Sequence, residues 1–337
     1  MVIIEASNIN FGGSFSLLKD LLHYCNVTHT HAIVYITYDA IFRELVALRY
    51  ENITLIKTSN FKTILRYLQR GRENVLYFCS LPPFVKNKNS YVYFHSEYYA
   101  TKPFSGISAL AKGEIIRKLL YFPWIKLCKR NCDVFYCQTK HIHKLLSLTY
   151  GIDAEVRPFY KDIKLPSIIP IKNRKYDFIY PALASKHKNH LLLLQSIEAA
   201  RKECEFSFIL TIPATNTLVS IIDSINKKFP NTILNWGLLP HDQVLNLMAQ
   251  TKCLFFPSTM ESLGIPLIEA QRCGALVAAS NFEYAQTSVS NAILFDPYSI
   301  ESMKSTIVEI LNRKYDNIKQ SILIEDSKKY IIDKLCK

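Results

Sequence analysis

Short runs rich in β-branched and aromatic residues alternate along the chain with stretches whose apolar positions return every three or four residues. The runs "MVIIEA", "HAIVYIT", "NITLIKT", "NVLYFCS", "YVYFHS" and "DVFYCQT" read as strands, and "SFSLLKDLLHYC" and "FKTILRYLQRG" read as helices. Strand followed by helix, repeated, is the sequence form of a parallel sheet covered on both faces. The alternation restarts after residue 175 with "YDFIYPA", "HLLLLQSIEAARK", "FSFILTI", "NTLVSIIDSINKKF", "TILNWG", "HDQVLNLMAQT", "CLFFPS", "ALVAAS" and "AILFDP".

Between the two series, "RPFYKDIKLPSIIPIKNRK" carries three prolines and six basic residues without a clean period. Such stretches join domains. The expected organisation is a first doubly wound α/β domain over 1–158, a linker over 159–175, a second over 176–312, and a basic tail or helix over 313–337. Two domains of this kind facing each other leave a cleft at the carboxyl ends of both sheets, where ligands bind in this architecture.

Composition narrows the class. With 337 residues, 49% hydrophobic and 20% charged, and no run of eighteen apolar residues, the chain is expected to be globular and not to span a membrane. The start "MVIIEASNINFGG" reads as a first strand rather than a signal peptide, so a cytoplasmic protein is expected. Nine cysteines without a framework spacing then read as reduced thiols. Cys128, Cys132, Cys137, His141 and His143 invite a zinc site, but their spacings fit no common finger, and packing is the expectation. A net charge of +13 calls for an acidic partner. No nucleic-acid signature accompanies it, which leaves phosphorylated ligands and an anionic membrane surface.

The stretch with most chemistry is "ESLGIPLIEAQRCGALVAAS", 261–280. Pro266 suits the first helical position, where its missing N–H would be unpaired anyway, and Gly274 suits the position just past the helix end. The reading is strand, loop, short helix, strand, with Glu261 in the loop and Glu269 on the helix. The backbone N–H groups around Ser262, Leu263 and Gly264 then form a seat for an anion, above all phosphate. Two carboxylates beside such a seat must accept hydrogen bonds from neutral donors on the same ligand, and sugar hydroxyls are the candidates. The plainer alternative is a glutamate favouring the helix dipole and another solvated in a loop.

The segment "FFPSTMESLGIPLIEAQRCGALVAASN" resembles the signature of the retaining family 4 glycosyltransferases of the GT-B fold, whose two glutamates stand at a similar spacing. The resemblance continues through "NAILFDPYSIESMKSTIVEIL" and is looser in the amino-terminal half. It implies that Glu261 contacts the donor sugar and Glu269 the ribose. "YPALASKHKNHLLLLQSI" is similar to the family's "KN" helix start, which makes Lys188 the contact to the donor diphosphate, with Lys186 as a substitute. The arginine that many members carry a few residues earlier is missing from "ALAS". Gly12 and Gly13 in "NINFGGSF" resemble the glycine-rich first loop. His95 in "YVYFHSEYY" matches a histidine beside the donor sugar, with Glu97 as an acidic alternative. Gly237 and Leu238 in "NWGLLP" resemble the loop that receives the base. "EYAQTSVS" departs from the family, placing Ala285 and Gln286 where a Pro-Glu pair is usual.

The resemblance implies transfer of a sugar from a nucleotide-sugar donor to a lipid-linked glycan acceptor, such as an O-antigen or other surface-polysaccharide precursor on a polyprenyl diphosphate. It implies retention of configuration without a covalent enzyme intermediate. No metal or other cofactor is expected; the chain contains no Asp-x-Asp motif. The helix "GEIIRKLLYFPWIKLCKRN", 113–131, with Arg117, Lys118, Lys126, Lys129 and Arg130 among apolar residues, is expected to rest on anionic lipid at the inner face of a bacterial inner membrane. A sugar-nucleotide epimerase of the same fold and a non-catalytic nucleotide-sugar-binding protein are the alternatives.

Overall fold

The computed structural model describes residues 1–9, 13–69, 74–78, 80–87, 89–105, 112–160, 165–312 and 318–336. They form two compact units, Met1–Asp162 with Glu325–Lys337, and Ile163–Ile324.

In the first unit the strands are β1 Val2–Glu5, β2 Ala32–Ile36, β3 Ile53–Lys57, β4 Val75–Tyr77, β5 Ser90–Phe94, β6 Val134–Cys137 and β7 Glu155–Val156. They form one sheet in the order β3-β2-β1-β4-β5-β6-β7, and all its pairings are parallel. Its helices are α1 Gly13–Val27, α2 Asp39–Ala47, α3 Asn60–Leu68, α4 Glu97–Ala100, α5 Lys112–Cys128 and α6 Lys140–Tyr150. Strand residues such as Val2, Ile4, Val34, Leu76, Val92 and Phe94 are buried, as expected of a sheet covered on both faces. The helix ends follow local chemistry. Ser59 and Thr139 cap α3 and α6 by accepting from Lys62 N (3.3 Å) and Ile142 N (3.2 Å), and Gly151 closes α6 at φ 64°.

The second unit has β8 Tyr176–Tyr180, β9 Phe208–Leu210, β10 Ile233–Asn235, β11 Thr251–Phe256, β12 Leu276–Ser280 and β13 Ile293–Phe295. Their order is β10-β9-β8-β11-β12-β13, again with parallel pairings. Between them run α7 His190–Ala200, α8 Val219–Lys228, α9 His241–Ala249, α10 Ile265–Arg272 and α11 Glu283–Ser288, followed by α12 Ile300–Leu311. In each sheet the order reverses beside the first strand of the series, between β1 and β4 and between β8 and β11. The carboxyl ends of those strands are the switch points at which ligands bind in this architecture.

Two segments carry more structure than their composition suggests. Within the stretch read as a linker, Arg174 is buried and donates to four backbone carbonyls: Ile169 (2.8 Å), Met248 (3.3 Å), Thr251 (2.7 Å) and Cys273 (2.9 Å). It ties the entry of β8 to the ends of α9 and α10. Within the stretch expected to be a basic tail or helix, the chain from Glu325 packs on the first unit through the helix α13, Lys328–Leu335. The Lys328 ammonium is closed off from water and held by Asp20 (2.7 Å), Asp326 (2.7 Å) and the Tyr160 carbonyl (2.6 Å). Hydrogen bonds and two carboxylates raise the pKa of this lysine against the pull of burial. A lysine on a charged tail is thus an internal staple.

Candidate functional site

The loops that leave β8 and β11, the switch-point strands of the second sheet, are knitted together. The His187 carbonyl accepts from Thr259 N (2.8 Å), Thr259 Oγ1 (3.1 Å) and Ser258 Oγ (3.3 Å). Lys188 closes a short 3-10 turn, Lys186–Lys188, and Asn189 follows in the left-handed region at φ 58°, starting α7. The Tyr180 hydroxyl donates to the Lys188 carbonyl at 2.9 Å. These contacts direct the Lys188 ammonium to Glu261, with which it forms an ion pair, and over the Phe256 ring at 5.4 Å. Both side chains are more than four-fifths buried, at 19% and 16% exposure. The expected diphosphate cation and sugar carboxylate therefore meet in one pair. Lys186 belongs to the same turn.

Gly264 stands before α10 at φ 69°. A Cβ there would lie 3.1 Å from Tyr284 Cδ2, so both backbone and space demand glycine. Tyr284 donates its hydroxyl to the Ser258 carbonyl at 2.9 Å, and Ser288 Oγ to the Leu263 carbonyl at 2.8 Å. α11, where the sequence departs from the resembled pattern, thus braces the loop, with Ala285 buried beneath. Among the described residues no acceptor takes the N–H groups of Ser262, Leu263 and Gly264, which leaves donors at the positive end of a helix.

Glu269 lies one turn into α10 and is mostly buried. Its Oε1 meets His241 Nε2 at 2.7 Å. His241 opens α9, 28 positions earlier, and its side chain is 42% exposed. Sequence reasoning passed over it because nothing local to "LLPHDQ" announces a partner on another helix. Gly237 follows β10 at φ 68°, and Leu238 is exposed. The Asn235 amide fixes this loop by bonding both the N–H and the carbonyl of Ile212 at 2.9 Å. A concavity of about 830 Å³ runs along the β10 edge from Lys175 to Trp236 and contains none of the candidate residues.

In the first unit, His95 follows β5. Its ring stacks on Phe78 at 5.5 Å, and its Nδ1 is buried without a hydrogen-bond partner. Burial pushes its pKa down to about 4, so the imidazole is neutral at neutral pH. The register pairs Tyr77 with Val92 and Phe94 with Cys137, so Ser80, His95 and Gln138 follow at the same rank on three neighbouring strands. Ser80 Oγ and both Gln138 amide atoms are likewise buried without partners, and Ser80 sits at φ 63°. Gln138 lies near the Tyr93 hydroxyl without hydrogen-bond geometry. Only a polar residue ending each apolar strand run signals Ser80 and Gln138 in the sequence.

Glu97 pairs with His141 at 3.2 Å, and His143 Nδ1 meets the Ala154 carbonyl at 2.7 Å. Among the described residues no group of three or more His, Cys, Asp or Glu is placed to hold a metal ion. Cys128, Cys132 and Cys137 are buried thiols whose pKa values burial raises. Gly13 opens α1 with free space where a Cβ would sit, and Gly12 lies outside the described residues. None of the described helices is long and apolar enough to cross a membrane.

Comparison with known proteins agrees with this arrangement. The Anabaena Alr3699/HepE structure, in complex with UDP and glucose, superposes with a TM-score of 0.65 at 13% identity, covering 93% of this chain and 90% of that one. A serotype-specific mannosyltransferase, WbdA, of Escherichia coli is 29% identical over 99 residues, 27% of this chain and 12% of its own length. A putative glycosyltransferase, ORF378, of Acidianus filamentous virus 2 is 27% identical over 145 residues, 42% of this chain and 34% of its own. The chain thus spans about one-eighth of the length of WbdA and one-third of that of ORF378. The two Rossmann-like units are those of the GT-B fold. The model of the glycosyl transferases group 1 family matches residues 162–330, which include both glutamates, Lys188 and His241, and the chain belongs to that family.

Proposed function

We propose that the chain transfers a sugar from a nucleotide-sugar donor to a glycan acceptor on a polyprenyl diphosphate, during assembly of an O-antigen or similar surface polysaccharide, with retention of anomeric configuration. The observation that carries this reading is the Lys188–Glu261 pair at the β8/β11 switch point, beside the unpartnered N–H groups before α10. The likeness to WbdA supports the polysaccharide setting.

In this reading the donor diphosphate takes the Lys188 ammonium and the N–H groups of Ser262, Leu263 and Gly264. A sugar hydroxyl takes the Glu261 carboxylate that Lys188 releases. The acceptor oxygen attacks the anomeric carbon from the face that the nucleoside diphosphate leaves, the bond to the β-phosphate oxygen breaks, and that phosphate receives the acceptor's proton. Lys188 and the N–H groups meet the charge that develops on the leaving group, and no metal is assigned a part. His95 is proposed as a neutral hydrogen-bond partner of a sugar hydroxyl.

A thermal-shift screen of UDP-, GDP- and dTDP-sugars selects the donor. Release of nucleoside diphosphate is then expected only when a lipid-linked acceptor is added. Release without acceptor, or conversion of the donor into its epimer, would reject transfer.

Glu269 is assigned to the ribose hydroxyls, and His241 to holding its carboxylate in place. Glu269→Ala is expected to weaken nucleoside diphosphate binding about tenfold or more, since hydrogen bonds to a charged group contribute about 1.5–3 kcal/mol. Preference for ribose over 2′-deoxyribose should collapse with it. His241→Ala should lower the same preference less, and His241→Gln, which keeps a donor, should restore it. Calorimetric titration with both nucleotides checks this. Loss of affinity with the ribose preference intact would assign both residues a purely structural part.

A further inference from the structure

The first unit turns apolar residues outward on two helices. On α3, Phe61, Ile64, Leu65 and Leu68 are all exposed, Phe61 at 70%. Their spacing puts them on one face. The opposite face supplies the core contacts of Thr63 and Tyr67. α5 is inverted. Lys118 points inward, where its ammonium is held by Thr101 Oγ1 (2.7 Å) and the Ser105 carbonyl (2.5 Å). Ile116, Leu120, Pro123 and Leu127 face out, Leu127 at 80% exposure.

The two helices share a side of the sheet. The crossovers β3 to β4 and β5 to β6 run in the same direction across the strand order, and right-handed connections place both on one face. Tyr67 of α3 and Trp124 of α5 meet at 5.5 Å, and Phe84 stacks on Trp124 at 4.3 Å. The outward apolar residues therefore lie on two helices of one side of the sheet, joined beneath by Tyr67 and Trp124, and so many on one side is unusual for a surface meeting only water.

Its charges select an occupant. Among the described residues of 60–68, 101–105 and 112–130, the exposed charged side chains are Lys62, Lys102, Lys126 and Arg130 against a single carboxylate, Glu114. The sequence reading gave the basic residues of 113–131 the leading part, but Lys118 is internal, Lys129 bonds the Tyr150 carbonyl and Arg117 bonds the Tyr38 hydroxyl. Apolar residues thus lead and a few cations flank them. A second copy would set cation against cation. An anionic lipid surface instead takes apolar side chains below its headgroups and the flanking cations at their level.

We infer that α3 and α5 together form the face by which this protein rests on anionic lipid, with Phe61, Leu65, Leu120 and Leu127 entering the headgroup boundary. The inference rests on the proposed lipid-linked acceptor, yet lipid binding and transfer are measured separately. The full chain is sedimented with vesicles of phosphatidylcholine alone and of phosphatidylcholine with phosphatidylglycerol. Partition onto the anionic vesicles is expected to be at least tenfold stronger and to fall with salt. The exposed substitutions Phe61→Ser with Leu65→Ser on α3, and Leu120→Ser with Leu127→Ser on α5, should each lower it about tenfold or more, with melting temperature unchanged. Turnover of a short-chain, water-soluble acceptor should be retained. Equal binding to both vesicles, or anionic binding insensitive to the α3 pair, overturns the inference. So does light scattering that shows a dimer which the same substitutions dissociate, since the face would then belong to a second copy. Intact lipid binding without any donor turnover would instead overturn the proposed function alone.

Discussion

Lys188→Met is expected to lower kcat by roughly a hundred- to a thousandfold, the loss typical when one preorganised donor is removed from a developing anion in a water-poor site. The backbone around it should survive, because Tyr180 and Thr259 bond main-chain carbonyls of the turn rather than the ammonium. The substitution also leaves the Glu261 carboxylate mostly buried without its counter-ion, so the melting temperature should fall together with the rate. Steady-state kinetics with the identified donor, together with the melting temperature, separates the outcomes. A fall confined to KM would mean that Lys188 binds the donor equally in ground and transition states. A variant as active as wild type would remove Lys188 from the mechanism.

Arg174→Ala is expected to destabilise the second unit by about 3–5 kcal/mol, because four backbone carbonyls lose a charged donor at once and a large buried side chain leaves a void. The four carbonyls that it serves come from three separate places in the chain, and burial denies them water in its place. Gly274 shares the contact: a Cβ there would stand 2.9 Å from the Arg174 guanidinium. Arg174→Lys keeps a charge but cannot span the carbonyls with a planar fork, so it should fall between wild type and alanine. Urea denaturation followed by a probe in the second unit checks the order. Equal midpoints for all three proteins would show that the segment is the simple linker its prolines suggest.

These two residues mark what the sequence displays and what it conceals. The strands of both sheets were legible because a covered parallel strand is a short apolar run, and α10 was legible because Pro266, Gly264 and Gly274 punctuate it. Glu261, Glu269 and Lys188 stood out against such surroundings. Arg174, Lys328 and Lys118 did not, because burial of a cation depends on acceptors far away in the chain: Cys273 for the first, Asp20 for the second. Each sits in a stretch whose local polarity says surface. His241 was missed for a related reason, since its partner Glu269 lies on a different helix. The face formed by α3 was hidden differently. The pattern of "FKTILRYL" announces an amphipathic helix but not which side meets the sheet, and here Tyr67 and Thr63 turn inward while the aliphatic side turns out.

The seat of Lys328 between Asp20 and Tyr160 bears on the order in which the molecule assembles. Because Glu325–Lys337 belongs to the first unit, the second is, in topological terms, an insertion within it. A ribosome must therefore release the whole second unit before the earlier-made unit receives α13. Until then Asp20 waits for a counter-ion encoded about three hundred codons downstream.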